Sequence, residues 1–192
     1  AGFPELENRL VIYRVVDPET GQVLERGQVG ELQAKGPGVT TGYYNKPEET
    51  LAAFTSDGWL HTGDLGCLDD DDYISLVGRL KESYRCGGEM VMPTEAEDVL
   101  MSHSAVLQAH VVPVPDERMG EIGVAFVVLR EQTSCDPADL QTLCSEHLAR
   151  FKVPKYFLFV SAQDVPVTPS GRARKFLLSN IAMQSLGLSA PA

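Results

Sequence analysis

The pattern of hydrophobic and polar positions changes near residue 79. Before it, short β-branched and apolar runs are separated by segments rich in glycine, proline and acidic residues, and after it helical patterns alternate with strands. Short alternating runs bounded by turn residues are typical of β-strands, whereas apolar positions three and four residues apart indicate helices. We therefore place a boundary at Arg79 to Lys81. The fold class is α+β, with a β-rich segment at 1–79 and a small domain at 80–192 whose helices pack on a small sheet.

The first part is predicted to be mostly β-strand. The apolar run at 9–16 ends at the DPETG turn, which predicts a hairpin with the next apolar segment. GELQAK has the alternation of a short strand, and Pro47 to Phe54 is typical of a short helix with proline in its first turn. The segment DGWLHTGDLGCLDDDDYISLVGRL predicts strand, loop, strand, acidic turn and strand, so that TGD becomes a turn holding a carboxylate.

The second part is predicted to contain three helices and three strands. Thr94 is expected to cap the first helix, which runs to about Ser102, with Glu97 as its capping-box partner and one apolar face. Asp136 and Pro137 have the pattern of a cap and first turn. The other predicted elements are strands at 106–112, 123–129 and 156–160, a helix from Asp136 to about Arg150, and an amphipathic helix at 174–186.

Composition and charge limit the function classes. The chain has 192 residues, of which 43% are hydrophobic, and its 16 Lys+Arg against 27 Asp+Glu give a net charge of −11. Nucleic-acid affinity depends on clustered positive charge, so we expect no nucleic-acid partner and a purely local site for any nucleotide. No apolar stretch has the roughly 20 residues of a membrane span, and the first ten residues do not resemble a signal peptide.

The four cysteines are Cys67, Cys86, Cys135 and Cys144, and they lie far apart. They form no CxxC pair and have no histidine at ligand spacing, so we expect neither a metal site nor a disulfide framework. Free thiols indicate a reducing compartment, and a cytoplasmic location is the expectation.

Two charged residues lie in these motifs: the carboxylate of Asp64, in TGD, and the guanidinium of Arg79, in GR. A carboxylate accepts and a guanidinium donates hydrogen bonds, so together they suit the vicinal hydroxyls of a ribose. The same two residues also fit a plain surface salt bridge. Both interpretations remain open at this point.

Six sequence blocks follow one another along nearly the whole chain: GELQAKGPGVTTGYYN, DGWLHTGDL, YISLVGRLKE, RCGGEMVMPTEAED, FKVPKYF and PVTPSGRARKF. Their order and spacing resemble the late motifs of the adenylate-forming superfamily, which contains acyl-CoA synthetases, peptide-synthetase adenylation domains and luciferases. The GGE of the fourth block is most similar to CoA ligases of fatty or aromatic acids. The chain thus resembles the C-terminal portion of an acyl-CoA ligase.

The resemblance implies a two-step reaction. A carboxylic acid attacks the α-phosphate of ATP to give an acyl-adenylate and pyrophosphate, and CoA then takes the acyl group. Residues 1–79 would complete a barrel-like subdomain of a larger N-terminal domain, and 80–192 would form a lid that swings between the steps. The absent domain would supply the phosphate loop, the Mg²⁺ site and the acyl pocket, so the fragment alone should be inactive. An apolar face of 1–79 would then be exposed or covered by a second copy.

The resemblance also assigns roles to single residues. Asp64 and Arg79 would bind the ribose, and Lys81 would be the hinge. Gly87 and Gly88 would line the thiol tunnel, where the absence of Cβ lets a pantetheine arm pass close to the backbone, and Glu89 would orient that loop. Two plainer interpretations stand beside these: Gly87-Gly88 as a two-residue hairpin turn, which is compatible with a tunnel, and Lys81 as a solvated surface lysine.

The last block departs from the family pattern. The family places a lysine directly after this Ser-Gly to neutralise charge that grows on the α-phosphate, but here the residue is Arg172. Lys175 could substitute, although it would point elsewhere if a helix has begun. Either Arg172 works in place of lysine, or the chain is a weakened member acting as a binding or regulatory module. A third alternative is an adenylation domain that loads a carrier protein.

Overall fold

The computed structural model describes residues 10–188. The chain divides into two compact units, Ala1–Lys81 and Glu82–Ala192, each with a sheet of its own. The division follows Lys81, the last residue of the boundary expected from the sequence. That the first unit completes a barrel-like subdomain, and that the second moves as a lid, remain predictions.

The first unit is a four-stranded antiparallel sheet in the order β1-β2-β3-β4, with one short helix. The predicted hairpin with the apolar segment after DPETG is wrong, because that segment makes only a single bridge, between Val16 and Val23. Instead β1 pairs with β2, from Ile12 with Lys35 to Val16 with Glu31. The helix begins at Pro47, as predicted. The elements are β1 (Ile12–Val16), β2 (Gly30–Lys35), α1 (Pro47–Ala53), β3 (Leu60–Leu68) and β4 (Ile74–Arg79). Arg9, the predicted start of the first strand, lies outside the described residues.

The prediction that TGD forms a turn between two strands is wrong. Residues 62–64 lie inside the single continuous strand β3. Gly63 has a φ of 67°, and the pairing of β3 with β4 shifts register between Leu65 and Gly66. Glycine adopts positive φ without steric cost, and an irregular pairing bends a strand without ending it. A glycine that looks like a turn signal is here a local distortion of the sheet.

The second unit is a mixed α+β domain. A long antiparallel hairpin of β7 and β8 forms its centre, β5 pairs antiparallel with β6 and β8, and β9 adds to β8 in parallel. The elements are β5 (Tyr84–Cys86), β6 (Glu89–Val91), α2 (Pro93–Met101), β7 (Val106–Asp116), β8 (Gly120–Leu129), α3 (Pro137–His147), β9 (Tyr156–Phe159) and α4 (Lys175–Leu186).

Both faces of the second sheet are buried, and β8 shows this along its length. Val124, Phe126 and Val128 pack in one core with residues of α4, whereas Ala125 and Val127 pack in another with residues of α2 and α3. Successive side chains of a strand point to opposite faces, so a strand covered on both sides becomes an unbroken apolar run. This accounts for the run from Ile122 to Leu129 in the sequence.

The three helices of this unit are confirmed, with one error in capping. Asp136 caps α3 by accepting a hydrogen bond from the N–H of Ala138 at 2.8 Å, and Pro137 is its first residue. The predicted capping box of α2 is wrong, because the helix begins one residue before Thr94, at Pro93. Proline with its fixed φ suits the first helical position, and this shifts the cap to Met92.

Candidate functional site

Asp64 and Arg79 lie opposite each other on adjacent strands of the first sheet. They are paired residues of β3 and β4, and Arg79 Nε lies 2.8 Å from Asp64 Oδ1. Directly opposed residues of an antiparallel pair project from the same face of the sheet. The backbone register therefore brings together the two side chains that the sequence places fifteen residues apart.

The neighbouring threonine fixes the backbone at this point. The Thr62 hydroxyl donates to the carbonyl of Leu32 on β2 at 2.6 Å, and the N–H of Asp64 donates to the same hydroxyl at 3.1 Å. These two bonds attach the distorted part of β3 to the centre of the sheet. Asp64 thus projects from a supported backbone rather than from a loose loop.

The ion pair is accessible to a ligand. The Asp64 side chain is 31% exposed and that of Arg79 is 47% exposed. The closest contact of the pair joins Arg79 Nε and Asp64 Oδ1, and Arg79 Nη1 also donates to the Thr62 carbonyl at 3.4 Å. An accessible acceptor next to an accessible donor matches a vicinal diol. The salt bridge of the plainer interpretation is present, and its geometry is compatible with ribose binding.

Lys81 lies where the two units divide. It is exposed, in a single 3-10 turn, Leu80–Glu82, that directly follows β4. A residue at such a division is well placed to absorb a change in backbone dihedrals. Its role as a hinge stays a prediction.

Gly87 and Gly88 form a two-residue hairpin turn between β5 and β6. Both have positive φ, 63° and 89°, as a type I′ hairpin turn requires. The N–H of Gly87 donates to the Met119 carbonyl at 2.8 Å, which attaches the turn to the end of the long hairpin. A Cβ on Gly88 would meet no heavy atom within 4 Å, so this side of the turn is open.

Two neighbours of this turn behave differently from what the motif suggests. The Glu89 carboxylate has no hydrogen-bond partner among residues 10–188, so no contact supports its predicted role in orienting the loop. Cys86, the residue before the two glycines, is a buried core residue. Arg85 faces the other side of β5 and donates to the Gly88 carbonyl at 2.9 Å, so the guanidinium beside the turn comes from this residue.

A groove of about 960 Å³ in the second unit borders the Gly87-Gly88 turn, and the sequence reasoning missed it. Cys86 and Met119 line the groove next to the turn, and Arg118, Arg150 and Lys155 contribute positive charge. Lys155 pairs with Asp116 at 2.8 Å; this ion pair, with the N–H groups of Met119 and Arg118, lowers the pKa of Asp116 to about 2. The groove is cationic in a chain of strongly negative net charge.

Arg172 lies on an exposed loop that precedes α4. The Thr168 hydroxyl accepts the N–H of Arg172 at 3.1 Å, the Thr168 N–H donates to the Arg172 carbonyl at 2.8 Å, and Val167 pairs with Ala173. The loop is therefore a compact hairpin that presents the guanidinium to solvent.

Lys175, the possible substitute for the family's lysine, lies in a cluster of carboxylates, and its role in adenylation stays a prediction. It is the first residue of α4, and its ammonium lies 2.8 Å from Glu97 and 3.0 Å from Glu82. Glu97, predicted as a capping partner, is in fact a buried carboxylate that accepts the N–H of Val111 at 2.7 Å. The signal for this cluster was present in the sequence, since Glu97 stands on the same helix face as the apolar Ala96 and Leu100.

No group of three or more His, Cys, Asp or Glu side chains within residues 10–188 could hold a metal ion. The four cysteines are free, and burial raises the pKa of Cys86, Cys135 and Cys144. Over the same residues, every helix is too short or too polar to cross a bilayer.

Comparisons with known proteins agree with the motif order. Residues 95–172 match the AMP-binding enzyme C-terminal domain. The chain is 44% identical over 160 residues to a sulfoacetate–CoA ligase of Cupriavidus necator, and 42% identical over 170 residues to 4-coumarate–CoA ligase 5 of Oryza sativa. These alignments cover 83% and 88% of the chain but 31% of each relative, so the chain spans about a third of their length.

Solved structures show the same fold. ATP-bound MatB from Rhodopseudomonas palustris aligns with a TM-score of 0.84 at 36% identity, over 92% of this chain and 34% of that one. Its apo form aligns over the same shares with a TM-score of 0.68. The o-succinylbenzoate CoA synthetase of Bacillus subtilis, in complex with an acyl-adenylate, gives a TM-score of 0.80 at 32% identity over 88% of the chain.

Proposed function

Because the chain belongs to the family of AMP-binding enzyme C-terminal domains, and its relatives include acyl-CoA ligases, we propose that it works within an ATP-dependent, AMP-forming acid–thiol ligase. The complete enzyme joins a carboxylic acid to ATP, releases pyrophosphate, and transfers the acyl group from the adenylate to CoA. Residues 1–192 supply the ribose contact, the hinge and the lid, and they are expected to be inactive alone.

The observation that carries this proposal is the accessible ion pair of Asp64 and Arg79. The Asp64 carboxylate accepts hydrogen bonds from the two ribose hydroxyls, and the Arg79 guanidinium donates to the same sugar. Hydrogen bonds with an ionised partner are stronger than neutral ones, so two adjacent groups suffice to orient the nucleotide. Holding the ribose in both steps keeps the α-phosphate in place while the rest of the site changes.

Movement at Lys81 is supported by its position and by MatB. The two units divide directly after this exposed residue. The ATP-bound and apo forms of MatB each align over 92% of this chain, with TM-scores of 0.84 and 0.68, and this difference supports a change of conformation between the two MatB structures. A hinge at Lys81 would let one face of the second unit serve adenylation and another serve thioester formation.

CoA is supported as the thiol by the cationic groove beside the Gly87-Gly88 turn. CoA carries several phosphates, and guanidinium and ammonium groups are the side chains that bind them. Arg118 and Arg150 line the groove, and the open side of Gly88 leaves room for a narrow pantetheine arm. The thiol would approach along the turn toward the adenylate.

In adenylation, Arg172 has the role that the family gives to lysine. Its exposed guanidinium would approach the carboxylate and the α-phosphate when the second unit closes, and would stabilise the charge that grows there. Mg²⁺ is expected from the preceding domain, as the resemblance to the family implies. The preceding domain would also cover exposed apolar side chains of the first unit, among which are Tyr44 and Leu51.

The test is to measure pyrophosphate release and acyl-CoA formation by the full-length enzyme with a panel of short, long and aromatic acids. Release of pyrophosphate with at least one acid, followed by CoA-dependent thioester, is the expected result. Supplying CoA and a pantetheinylated carrier protein side by side separates the CoA ligase from a carrier-loading enzyme. ATP binding without turnover of any acid would contradict the proposal.

A weakened member that acts as a binding or regulatory module is the second candidate, and Arg172 is the observation that favours it. Arginine keeps the charge, but its planar fork has a different reach from an ammonium. If the protein is such a module, the Arg172→Lys variant remains inactive in adenylation. In a ligase limited by this residue, the same change raises the adenylation rate, and Arg174→Lys, at the neighbouring arginine outside the motif position, does not.

A further inference from the structure

The ammonium of Lys175 joins two carboxylates from distant parts of the second unit. Its Nζ lies 2.8 Å from Glu97 Oε1 and 3.0 Å from Glu82 Oε2. The Lys175 side chain is 17% exposed and that of Glu97 is 11% exposed, so the contact is largely removed from water. Ion pairs of low exposure are screened less by solvent and salt than surface pairs.

Glu97 provides the fixed end of this cluster. It lies on α2 between the buried residues Ala96 and Leu100, and its Oε1 also accepts the N–H of Val111 on β7 at 2.7 Å. The carboxylate therefore has one position set by a helix and a strand. Lys175 takes its own position from this carboxylate.

Glu82 is the end of the cluster that lies next to the predicted hinge. It is the first residue of the second unit and directly follows Lys81. The buried strand residue Tyr84 comes two positions later. The contact with Lys175 therefore holds the short segment through which any rotation at Lys81 must pass to the second unit.

Lys175 is also connected to the loop that presents Arg172. Arg174, the residue before it, donates its N–H to the Pro166 carbonyl at 2.8 Å, and Val167 pairs with Ala173. The base of the Arg172 hairpin thus continues directly into the first turn of α4. An ion pair that holds Lys175 in place therefore also holds the base of the Arg172 hairpin in place.

We propose that Lys175 and Glu82 are positioning residues for adenylation: their ion pair binds the segment after the hinge to the base of the Arg172 loop, so that a rotation at Lys81 carries Arg172 as part of one rigid body. Lys175 does not touch the nucleotide in this account. The inference rests on the proposed function for its catalytic consequence, but not for its structural one.

The kinetic test uses the full-length enzyme and a matched pair of carboxylates. Glu82 is 32% exposed and pairs with Lys175; Glu95 is 34% exposed and pairs with Lys152 at 2.6 Å in the same unit, outside the cluster. Small displacements of a catalytic group can cost up to about 100-fold in rate. We expect Glu82→Gln and Lys175→Met to lower kcat for adenylation about 10-fold with KM for ATP changed less than about 2-fold.

The controls separate positioning from direct catalysis. Glu95→Gln stays within about 2-fold of wild type, and Lys175→Arg, which keeps a cation that can reach both carboxylates, restores most of the rate lost in Lys175→Met. If Lys175 acted on the phosphate itself, Glu82→Gln would free its ammonium and raise the rate. A rate that rises, or that matches Glu95→Gln, overturns the proposal.

Hydrogen exchange supplies a readout that does not depend on activity. Amides at 82–86 and 170–177 are expected to exchange faster in Glu82→Gln than in wild type, whereas Glu95→Gln leaves them unchanged. Equal exchange in the two variants overturns the positioning role. An inactive wild-type enzyme would instead remove the proposed function, and the exchange comparison would still decide whether Lys175 holds Glu82 to α4.

Discussion

The two units each contain a cluster of carboxylate and cation, and the clusters differ in access. Asp64 and Arg79 meet on the open face of the first sheet with 31% and 47% of their side chains exposed, whereas Lys175 and Glu97 are 17% and 11% exposed. An exposed pair contributes little to stability and can exchange its partner for a ligand. A buried pair cannot be broken without leaving a charge in a poor environment. The pair of Asp64 and Arg79 is therefore accessible enough for the binding role proposed for it, whereas the pair of Lys175 and Glu97 suits a structural role.

The largest effect is expected from a substitution that removes the exposed ion pair. Asp64→Ala in the full-length enzyme should lower both half-reactions about 100-fold, because hydrogen bonds to a charged group contribute roughly 1.5–3 kcal/mol and the ribose is held throughout. Pyrophosphate release and transfer from a supplied acyl-adenylate measure the two steps. Asp57→Ala, which removes an ion pair with Arg14 in the same unit, is the control and should change neither step more than about 2-fold. Loss of one step alone would contradict a shared ribose contact.

The second prediction compares the two clusters by stability. Lys175→Met should lower the free energy of unfolding of the second unit by about 2–3 kcal/mol, because it leaves Glu97 buried without its cation. Asp64→Asn should cost the first unit less than about 1 kcal/mol. Native-state hydrogen exchange of buried amides in β8 and β3 measures each unit separately. Similar losses in the two units would remove the distinction.

The third prediction tests the connection between the units. Lys81→Pro should lower thioester formation about 10-fold more than adenylation, because proline fixes φ at a residue that must change its dihedrals. Lys81→Ala removes the ammonium but leaves φ free, so the ratio of the two rates should change far less. A ratio equal to that of wild type in Lys81→Pro would mean that the hinge lies elsewhere.

The smallest expected effect uses His110, which lies half-buried on β7 near the buried cluster. Burial lowers its pKa, Glu97 acts in the opposite direction, and Lys175 adds to the lowering. The unfolded chain then binds the proton more readily than the folded one, so stability falls as pH falls below the ordinary pKa of 6.5. His110→Gln should reduce this fall, by less than about 1 kcal/mol, in melting curves between pH 7.5 and 5. An unchanged pH dependence would mean that His110 is not the group responsible.

Local patterns predicted most of the elements. The strands at 106–112 and 123–129 and the helix capped by Asp136 were found because burial and capping leave short-range signals. The turn at TGD was wrong because a single glycine can distort a strand without ending it. The capping box was wrong because α2 begins at Pro93, before Thr94, and the Glu97 carboxylate accepts the N–H of Val111 on β7 instead.

The candidate site shows the same limit. The motifs brought Asp64 and Arg79 to attention, but only the register of β3 and β4 places them opposite each other. The cationic groove and the contact of Glu82 with Lys175 join residues from several elements, so neither follows from spacing. The proposed roles of Asp64 and Arg79 depend on this geometry and on the similarity of the chain to acyl-CoA ligases.

The most direct measurement compares the binding of ATP and 2′,3′-dideoxy-ATP by calorimetry, in the wild-type full-length enzyme and in Asp64→Asn. If the carboxylate holds the ribose hydroxyls, their removal should weaken binding about 10- to 100-fold in the wild type and little further in the variant, because the two changes remove the same interaction. Equal weakening in both proteins would show that Asp64 does not contact the sugar.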